Sequence, residues 1–509
     1  DMYYAAFRIP DLIYGVLIMG AISSAFIPVF SRYLTQDKKE AWRMVSGFLN
    51  LAIFTLIILG LVLVIISPWL IPLIAPGFSL EKKEITIALT RIMFLSPILF
   101  GISSIFSGIL HSFRRFLVAS LAPIMYNLGI IIGVVFLTKF WGIFGLAWGV
   151  VLGAFLHMLI QIPSVVYSGF RYQWIWDIYH RGVRKIVRLM IPRTIGLAAF
   201  HVNLIVITAI ASTLASGSVA VFNLANNLQY VPIGIFGLAF ATAAFPTLVH
   251  AFSQKKKEEF LASFNSTFRQ ILFLVIPAGV LIYLLRAQIV RVVLGTGEFG
   301  WLDTRLTAAC LGLFSLSIFA QSLIPLVART FYARHNTRTP VLISIISIIF
   351  NIGASFFFVF FLTRFPYFIN LASQILKLEG ISEIGVVGLP LAFSLAGILN
   401  LILLLITLYW KVGDYGMLKI FSSFFKIIIS SLLMGGGIYL SLHLIAPLVN
   451  MRTFVGVATQ GIGAGLIGLA IYLLISLFLR SPELILFYNG LRRRLPWKKV
   501  APTRIPEEK

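Results

Sequence analysis

The chain has 509 residues, of which 59% are hydrophobic and 11% are charged, and its formal net charge at pH 7 is +24. A soluble globule could not cover so apolar a chain with polar surface, whereas a bilayer accepts segments of about 20 apolar residues as spanning helices. We therefore interpret the chain as an integral membrane protein. Strand-like alternation of apolar and polar residues is absent, which argues against a closed barrel and predicts an all-α polytopic fold.

About thirteen long apolar segments follow one another along the chain, separated by short loops. Ile, Leu, Val and Phe dominate them, with Gly, Ser and Ala interspersed, as in residues 127–136. Small residues let membrane helices pack closely against one another. The predicted spans are 6–34, 44–74, 85–112, 116–138, 142–168, 186–214, 219–248, 267–294, 302–330, 339–363, 384–410, 419–446 and 454–480.

The positive charge indicates topology. Most of the 41 Lys and Arg residues lie on alternate loops and on the C-terminal tail, and the intervening loops hold few. By the positive-inside rule the Lys- and Arg-rich loops are cytoplasmic, so the C-terminus is predicted inside and the first residue outside. We therefore expect no nucleic-acid partner. The tail, with Arg492, Arg493 and Arg494 close to Trp497, is predicted to contact anionic membrane lipids.

An internal repeat divides the chain. Pro123, Asn127-Leu128-Gly129 and Gly142-Ile143-Phe144-Gly145-Leu146 are matched in the same order by Pro340, Asn351-Ile352-Gly353 and Gly385-Val386-Val387-Gly388-Leu389. Transporters are often built from two such halves. Projecting the second half back on the first places the counterpart of 186–214 before residue 1, so we expect a first helix to be missing and a complete chain to have about fourteen. The predicted parts are an N-lobe with five of six helices (1–168), a cytoplasmic linker (169–185), a six-helix C-lobe (186–412), a C-terminal helix pair (413–480) and a basic cytoplasmic tail (481–509).

Several ordered motifs carry a resemblance to a known family. They are residues 1–12 (Asp-Met-Tyr-Tyr-Ala-Ala-Phe-Arg-Ile-Pro-Asp-Leu), 20–29, 75–78 (Ala-Pro-Gly-Phe), 215–218, 297–299 and 337–340. Together they resemble the MurJ (MviN) lipid II flippases over essentially the whole chain. The resemblance implies the fold of the multidrug/oligosaccharidyl-lipid/polysaccharide exporter superfamily, with two lobes around a central cavity. It also implies that the last two helices, 413–480, form a groove for a lipid tail.

Charged side chains inside spans are costly, so each is a candidate functional residue. Arg8 and Asp11 are three residues apart on one helical face, and Tyr14 lies one turn further. We predict that all three contact substrate, and Arg8 and Asp11 could also pair with each other. The alternative is that Arg8 extends to the outer interface and only anchors the helix.

A polar stripe marks one helix of the second half. Asn223, Asn226, Asn227 and Tyr230 recur at helical spacing on an otherwise apolar segment. The stripe either lines a hydrated cavity or bonds neighbouring helices, and the repeat, which relates Asn226 to Arg8, favours the cavity. We predict substrate contacts for Asn223, Asn226 and Asn227. Other charges within or beside spans are interpreted as structural: Arg91, Arg269, Arg286, Arg291 and Lys426.

The family resemblance assigns some of these positions and departs at others. Asp1 and Arg8 stand where the family has an Asp and a Lys or Arg, which implies a gating or ion-pair role for Asp1 and substrate binding for Arg8. The family commonly has an Arg pair where this chain has Tyr14 and Gly15, and Asp-Arg where it has Asn226 and Asn227. We hypothesise that Arg193 supplies part of the missing charge, although its place near a helix end also suits simple anchoring.

Three classes of function are open. The first is a flippase that moves lipid II from the inner to the outer leaflet by alternating access, because a cavity with fixed cations can replace the water around a pyrophosphate headgroup. The second is an exporter of another lipid-linked oligosaccharide, or an ion-coupled drug antiporter of the same superfamily. The third is a membrane enzyme such as a polyprenyl-phosphate transferase or phosphatase.

The enzyme class has the least support. The sequence contains no His-Glu-x-x-His, no phosphate-binding Gly-x-x-x-x-Gly-Lys and no loop that clusters acidic or His residues. We therefore predict no catalytic residue, no metal site and no cofactor, and leave the driving ion or potential open. The expected protein is a monomer that spans the bacterial cytoplasmic membrane many times and binds lipid II or a similar polyprenyl-diphosphate glycolipid.

Overall fold

The computed structural model describes residues 1–19, 22–177, 179–381 and 383–487, and their side chains except those of 17–24 and 191–197. Every regular element in this part of the chain is helical, which confirms the all-α fold. The helices are α1 Met2–Ile13, α2 Ile22–Gln36, α3 Lys38–Ile74, α4 Leu80–Met93, α5 Leu95–Ser112, α6 Phe116–Ile132, α7 Thr138–Trp141, α8 Phe144–Leu159, α9 Ile162–Tyr167, α10 Arg181–Ser212, α11 Ser218–Pro232, α12 Ala239–Ser253, α13 Lys257–Leu294, α14 Trp301–Ser315, α15 Ile318–Ala333, α16 Arg338–Arg364, α17 Pro366–Leu376, α18 Gly388–Val412, α19 Met417–Ile445 and α20 Phe454–Phe478. The tail prediction for 481–509 falls largely outside the described residues.

In the described part of the chain, three short π-helical segments follow α-helices without a loop. They are Tyr14–Met19 after α1, Gly133–Leu137 after α6 and Ile233–Leu238 after α11. Pro10 lies inside α1 and Pro232 ends α11, and a proline has no amide hydrogen with which to continue the regular ladder. A π turn adds a residue to the helical turn, so the side chains that follow it lie on an altered face of the helix.

The predicted membrane spans agree with the observed helices. In the described residues, ten helical stretches are long and apolar enough to cross a membrane, and α14 and α15, bent by 45°, form a possible eleventh. These correspond to eleven of the predicted spans. The remaining two, 6–34 and 186–214, include residues whose backbone or side chains lie outside the described part of the chain, and they stay predictions.

Glycines bring α6 and α8 into contact. A Cβ atom at Gly149 would lie 2.7 Å from the Cα atom of Gly133, and one at Gly129 would overlap the backbone of Gly153. Backbones approach this closely only where side chains are absent, as in other membrane helix pairs with small residues four positions apart. The small residues noted in 127–136 therefore serve helix packing, as the sequence predicted.

Arg91 has a structural role. Pro68, inside α3, lacks the amide that would bond the carbonyl of Val64. Ser67 Oγ donates to that carbonyl at 2.8 Å, and Arg91 Nε of α4 donates to it at 3.3 Å and to Ser67 Oγ at 3.2 Å. The guanidinium thus donates a hydrogen bond to a carbonyl that Pro68 leaves without its usual backbone donor. This agrees with the interpretation of Arg91 as a structural residue.

The chain divides into two compact units. The first consists of Asp1–Asn223 and Ile348–Phe365, and the second of Leu224–Ser347 and Pro366–Lys509. In the first, Phe26 of α2 stacks on Phe30 and on Phe48 of α3. In the second, α13 packs against both α19 and α20. The lobe boundaries derived from the repeat stay predictions.

Candidate functional site

Arg8 is a fixed, buried cation inside the first unit, with 7% of its surface exposed. Its Nε donates to Thr208 Oγ1 at 2.6 Å, and its Nη2 donates to Asn223 Oδ1 at 2.7 Å. Both acceptors are themselves oriented, because Thr208 Oγ1 donates to the carbonyl of Leu204 and Asn223 Nδ2 donates to that of Val219. Hydrogen bonds from a charged donor are short and strong, so the guanidinium is held in place. This arrangement is not that of a side chain that only extends to the interface.

Asp1 caps the start of α11. Its Oδ2 accepts from the amide of Gly217 at 2.7 Å, and its Oδ1 accepts from the amide of Ala220 at 2.9 Å. The first amides of a helix have no partner within the helix, and an anion there also meets the positive end of the helix dipole. Among the described residues Asp1 forms no salt bridge, so its visible contacts are those of a cap and not the ion pair that the resemblance implied. A gating role stays a prediction.

The polar stripe on α11 is not uniform. Asn223 is buried against Arg8, whereas Asn226 is half-buried and accepts from Gln229 Nε2 at 2.9 Å. Asn227 and Tyr230 are exposed. The four residues therefore share a helix but not an environment, and among the described side chains only that of Asn223 is joined to another predicted site residue.

Arg193, the hypothesised extra cation, lies on α10, but its side chain is outside the described residues. Its contribution of charge stays a hypothesis.

Asp11 and Tyr14 line a cavity of about 290 Å³ within the first unit. Phe7 and Phe100 supply part of its apolar wall, and Tyr126 of α6 and His157 of α8 add polar groups. The Arg8–Asp11 pair that the sequence allowed is not formed, since no salt bridge joins the two in the described structure. Asp11 therefore lines the cavity whereas Arg8 does not, although the two are three residues apart.

Sequence reasoning missed several neighbours of these residues. Thr208, which binds Arg8, is a single Thr in an apolar helix and gives no periodic signal. His201 fills the space over Gly15, where a Cβ atom would overlap its imidazole. A side chain at Gly15 would therefore have to displace this imidazole. Asn203 of α10 accepts from Asn351 Nδ2 at 3.0 Å, and both side chains are buried.

Comparison with known proteins gives a consistent result. Residues 1–459 match the family model described as lipid II flippase MurJ. The chain is 27% identical over 510 residues to the probable lipid II flippase MurJ of Rhizobium tropici, covering 97% of this chain and 91% of that protein. It is 30% identical over 373 residues to the probable lipid II flippase MurJ of Haemophilus influenzae, covering 69% of this chain and 73% of that protein.

Solved structures share the fold. A lipid II flippase MurJ in an inward closed conformation superposes with a TM-score of 0.74 at 24% identity, covering 97% of this chain and 93% of that one. An inward-facing multidrug resistance MATE transporter of the MOP superfamily superposes with a TM-score of 0.60 at 17% identity, covering 83% and 88%. These likenesses show that the chain shares the helical fold of these proteins.

Proposed function

The chain belongs to the MurJ family of lipid II flippases, and from this premise we propose that it moves lipid II from the inner to the outer leaflet of the bacterial cytoplasmic membrane. The observation that carries the proposal is the family match over residues 1–459. The described geometry supports it with Arg8, a buried cation that the side chains of Thr208 and Asn223 hold in place.

The headgroup explains the need for such a cation. Lipid II carries sugars, a peptide and an anionic pyrophosphate, and hydrocarbon would strip the water from these groups at great cost. A guanidinium can replace that water with charge-assisted hydrogen bonds to phosphate oxygens. Because Thr208 and Asn223 already orient Arg8, little side-chain freedom is lost when an anion binds. The proposed cycle is alternating access, in which the headgroup site opens to one side of the membrane and then to the other.

The polyprenyl tail needs no polar shelter. We propose that it stays in contact with α19 and α20, whose outer faces carry exposed apolar side chains such as Leu432, Leu466 and Leu473. We also propose a cytoplasmic C-terminus, a monomeric protein and no cofactor or catalytic residue. The distribution of Lys and Arg over the loops supports the orientation.

Purified protein in liposomes that contain lipid II tests the proposal. A membrane-impermeant reagent that modifies the headgroup measures how much lipid II reaches the outer face. We expect the protein to accelerate this exposure and Arg8→Ala to abolish the acceleration, whereas Arg364→Ala, at the end of α16, should leave it unchanged. No acceleration by the wild-type protein would refute the proposal. Acceleration of another lipid-linked oligosaccharide instead would support the second class of function.

The same assay decides the role of Arg193. If it supplies headgroup charge, Arg193→Ala should slow transport severalfold. Unchanged transport by Arg193→Ala, alongside a complete loss in Arg8→Ala, would show that Arg193 only anchors its helix.

A further inference from the structure

Asp11 has no role in the contacts described so far. It lies near the end of α1, inside an apolar segment. An acidic side chain in such a segment costs free energy, so Asp11 is a candidate functional residue. No described residue donates a hydrogen bond to its carboxylate or forms a salt bridge with it. It is one of the residues that line the cavity between α1, α5, α6 and α8.

The cavity can hold water. Its volume, about 290 Å³, is well above the ~30 Å³ that one water molecule occupies in the liquid. Much of its wall is apolar, including Phe7, Pro10, Phe100 and Pro123. A carboxylate in such a wall can exchange a proton with the water molecules beside it. Because the rest of the wall is mostly apolar, these water molecules are the main groups that stabilise its negative charge.

The groups around Asp11 can be named element by element. Helices α4 and α5 contribute no titratable side chain to the cavity wall. Arg8 is the nearby positive charge, but its described hydrogen bonds go to Thr208 and Asn223. On α10, His201 packs over Gly15. The remaining titratable groups that face Asp11 are Tyr3, Tyr14, Tyr126 and His157.

His157 is fixed by a chain of hydrogen bonds. Ser107 Oγ donates to Gln161 Oε1 at 2.8 Å, and Gln161 Nε2 donates to Ser103 Oγ at 2.6 Å. Ser103 Oγ lies 2.6 Å from His157 Nδ1 and donates to the carbonyl of His157 at 3.3 Å. These contacts hold the imidazole through Nδ1. The carboxylate of Asp11, in contrast, has no described hydrogen-bond partner, so it is the group in the cavity wall that can exchange a proton with water alone.

A metal ion suits the cavity less well than a proton. Hard cations take several oxygen ligands, usually with more than one carboxylate or carbonyl. In the described part of the chain, no group of three or more His, Cys, Asp or Glu residues could hold a metal ion. The polar groups of the cavity wall are a single carboxylate, two phenol groups, the imidazole of His157 and the hydroxyl of Ser96, which already donates to the carbonyl of Met93.

We propose that Asp11 is a proton-binding site and that its protonation is coupled to transport. The carboxylate takes a proton from cavity water to become a neutral carboxyl group, and it later returns that proton to water. The neutral and charged forms favour different packing of α1 against the cavity wall, because only the charged form needs hydration. The coupling rests on the proposed function, whereas proton binding does not.

Infrared spectroscopy tests proton binding on its own. The carbonyl stretch of a protonated carboxyl group appears in difference spectra between acidic and neutral pH. We expect a band in the wild-type protein that is lost in Asp11→Asn and kept in Glu379→Gln, which removes an exposed carboxyl group. A wild-type spectrum without a band that Asp11→Asn removes would overturn the proposal, and this result does not depend on transport.

The liposome assay with a pH gradient tests the coupling. With uniformly oriented protein, a gradient of one unit should change the wild-type rate of lipid II exposure by up to about tenfold, upward in one direction and downward in the other. In Asp11→Asn the ratio between the two directions should fall to about one. The coupling would be overturned if the rate of lipid II exposure by the wild-type protein did not depend on the pH gradient, or if Asp11→Asn responded to the gradient equally. Neither result would contradict the proposed function. Failure of the wild-type protein to move lipid II under any gradient would instead refute the proposed function.

Discussion

The hydrogen bond between Arg8 and Asn223 should make the two residues strongly coupled in stability. Substituting Asn223→Leu removes the acceptor at 2.7 Å and leaves a buried guanidinium without one of its two described partners. Substituting Arg8→Met removes the charge together with its need for partners. We therefore expect an asymmetric result, in which loss of the neutral partner is more harmful to stability than loss of the cation.

The expected size follows from the contacts. Hydrogen bonds to charged groups contribute about 1.5–3 kcal/mol, whereas hydrogen bonds between membrane helices average about 0.6 kcal/mol. Asn223→Leu should lower the free energy of unfolding by about 2 kcal/mol, because the charge remains buried and uncompensated. Arg8→Met should lower it by less than about 1 kcal/mol, because replacing a buried charge with a well-packed apolar residue is often neutral. The double variant should resemble Arg8→Met alone.

Reversible unfolding in mixed detergent micelles, monitored by Trp fluorescence, gives the four free energies of this double-mutant cycle. Asn227→Leu is the matched control, because Asn227 is exposed on the same helix and should change stability by about 0.5 kcal/mol or less. If Asn223→Leu costs no more than Asn227→Leu, Asn223 does not hold the guanidinium. The reasoning is also refuted if the double variant loses the sum of the two single losses.

Two further substitution pairs test the packing of each unit. Gly129→Ala should destabilise the protein by about 1–3 kcal/mol, because the new methyl group overlaps the backbone of α8. The repeat-related Gly353→Ala should be neutral or stabilising, because a Cβ atom there would meet no atom within 4 Å. Equal effects of the two substitutions on thermal unfolding would contradict this. Glu483→Gln should cost about 3 kcal/mol because it leaves Arg269, 2.8 Å from the carboxylate, without its counter-charge. Glu259→Gln, which breaks an exposed pair, should cost less than about 0.5 kcal/mol, and a similar loss in both variants would show that burial does not strengthen the first pair.

Hydropathy and the positions of short loops were sufficient to predict most of the fold. The span predicted at 116–138 is a helix that continues to Trp141 and stops where Gly142 takes a positive φ of 53°. The apolar residues of the segment therefore predict the helix, and the glycine after it predicts where the helix ends. Helix α17, Pro366–Leu376, was not predicted, because its 11 residues are too few to span a bilayer and only one of its faces is strongly apolar.

The candidate site was only partly predictable. The cost of a charge within a membrane singled out Arg8 and Asp11, but no spacing rule relates Arg8 to Thr208 or Asn223, which are about 200 residues away in the chain. Such partners become visible only when the helices are packed. The family resemblance marked Asp1 as important but implied an ion pair, because a sequence does not show that a helix start lies beside it.

The stripe on α11 shows the limit of periodicity most clearly. Helical spacing correctly places Asn223, Asn227 and Tyr230 on neighbouring positions of one helix, because residues three and four apart face the same way. It does not say what covers that face at each level: Asn223 is 8% exposed, whereas Asn227, one turn further along α11, is an exposed residue. The buried end of the stripe meets a cation, and its amide is therefore worth more to stability than the same amide at the exposed end. An identical residue type thus has two different roles one helical turn apart, and burial decides which.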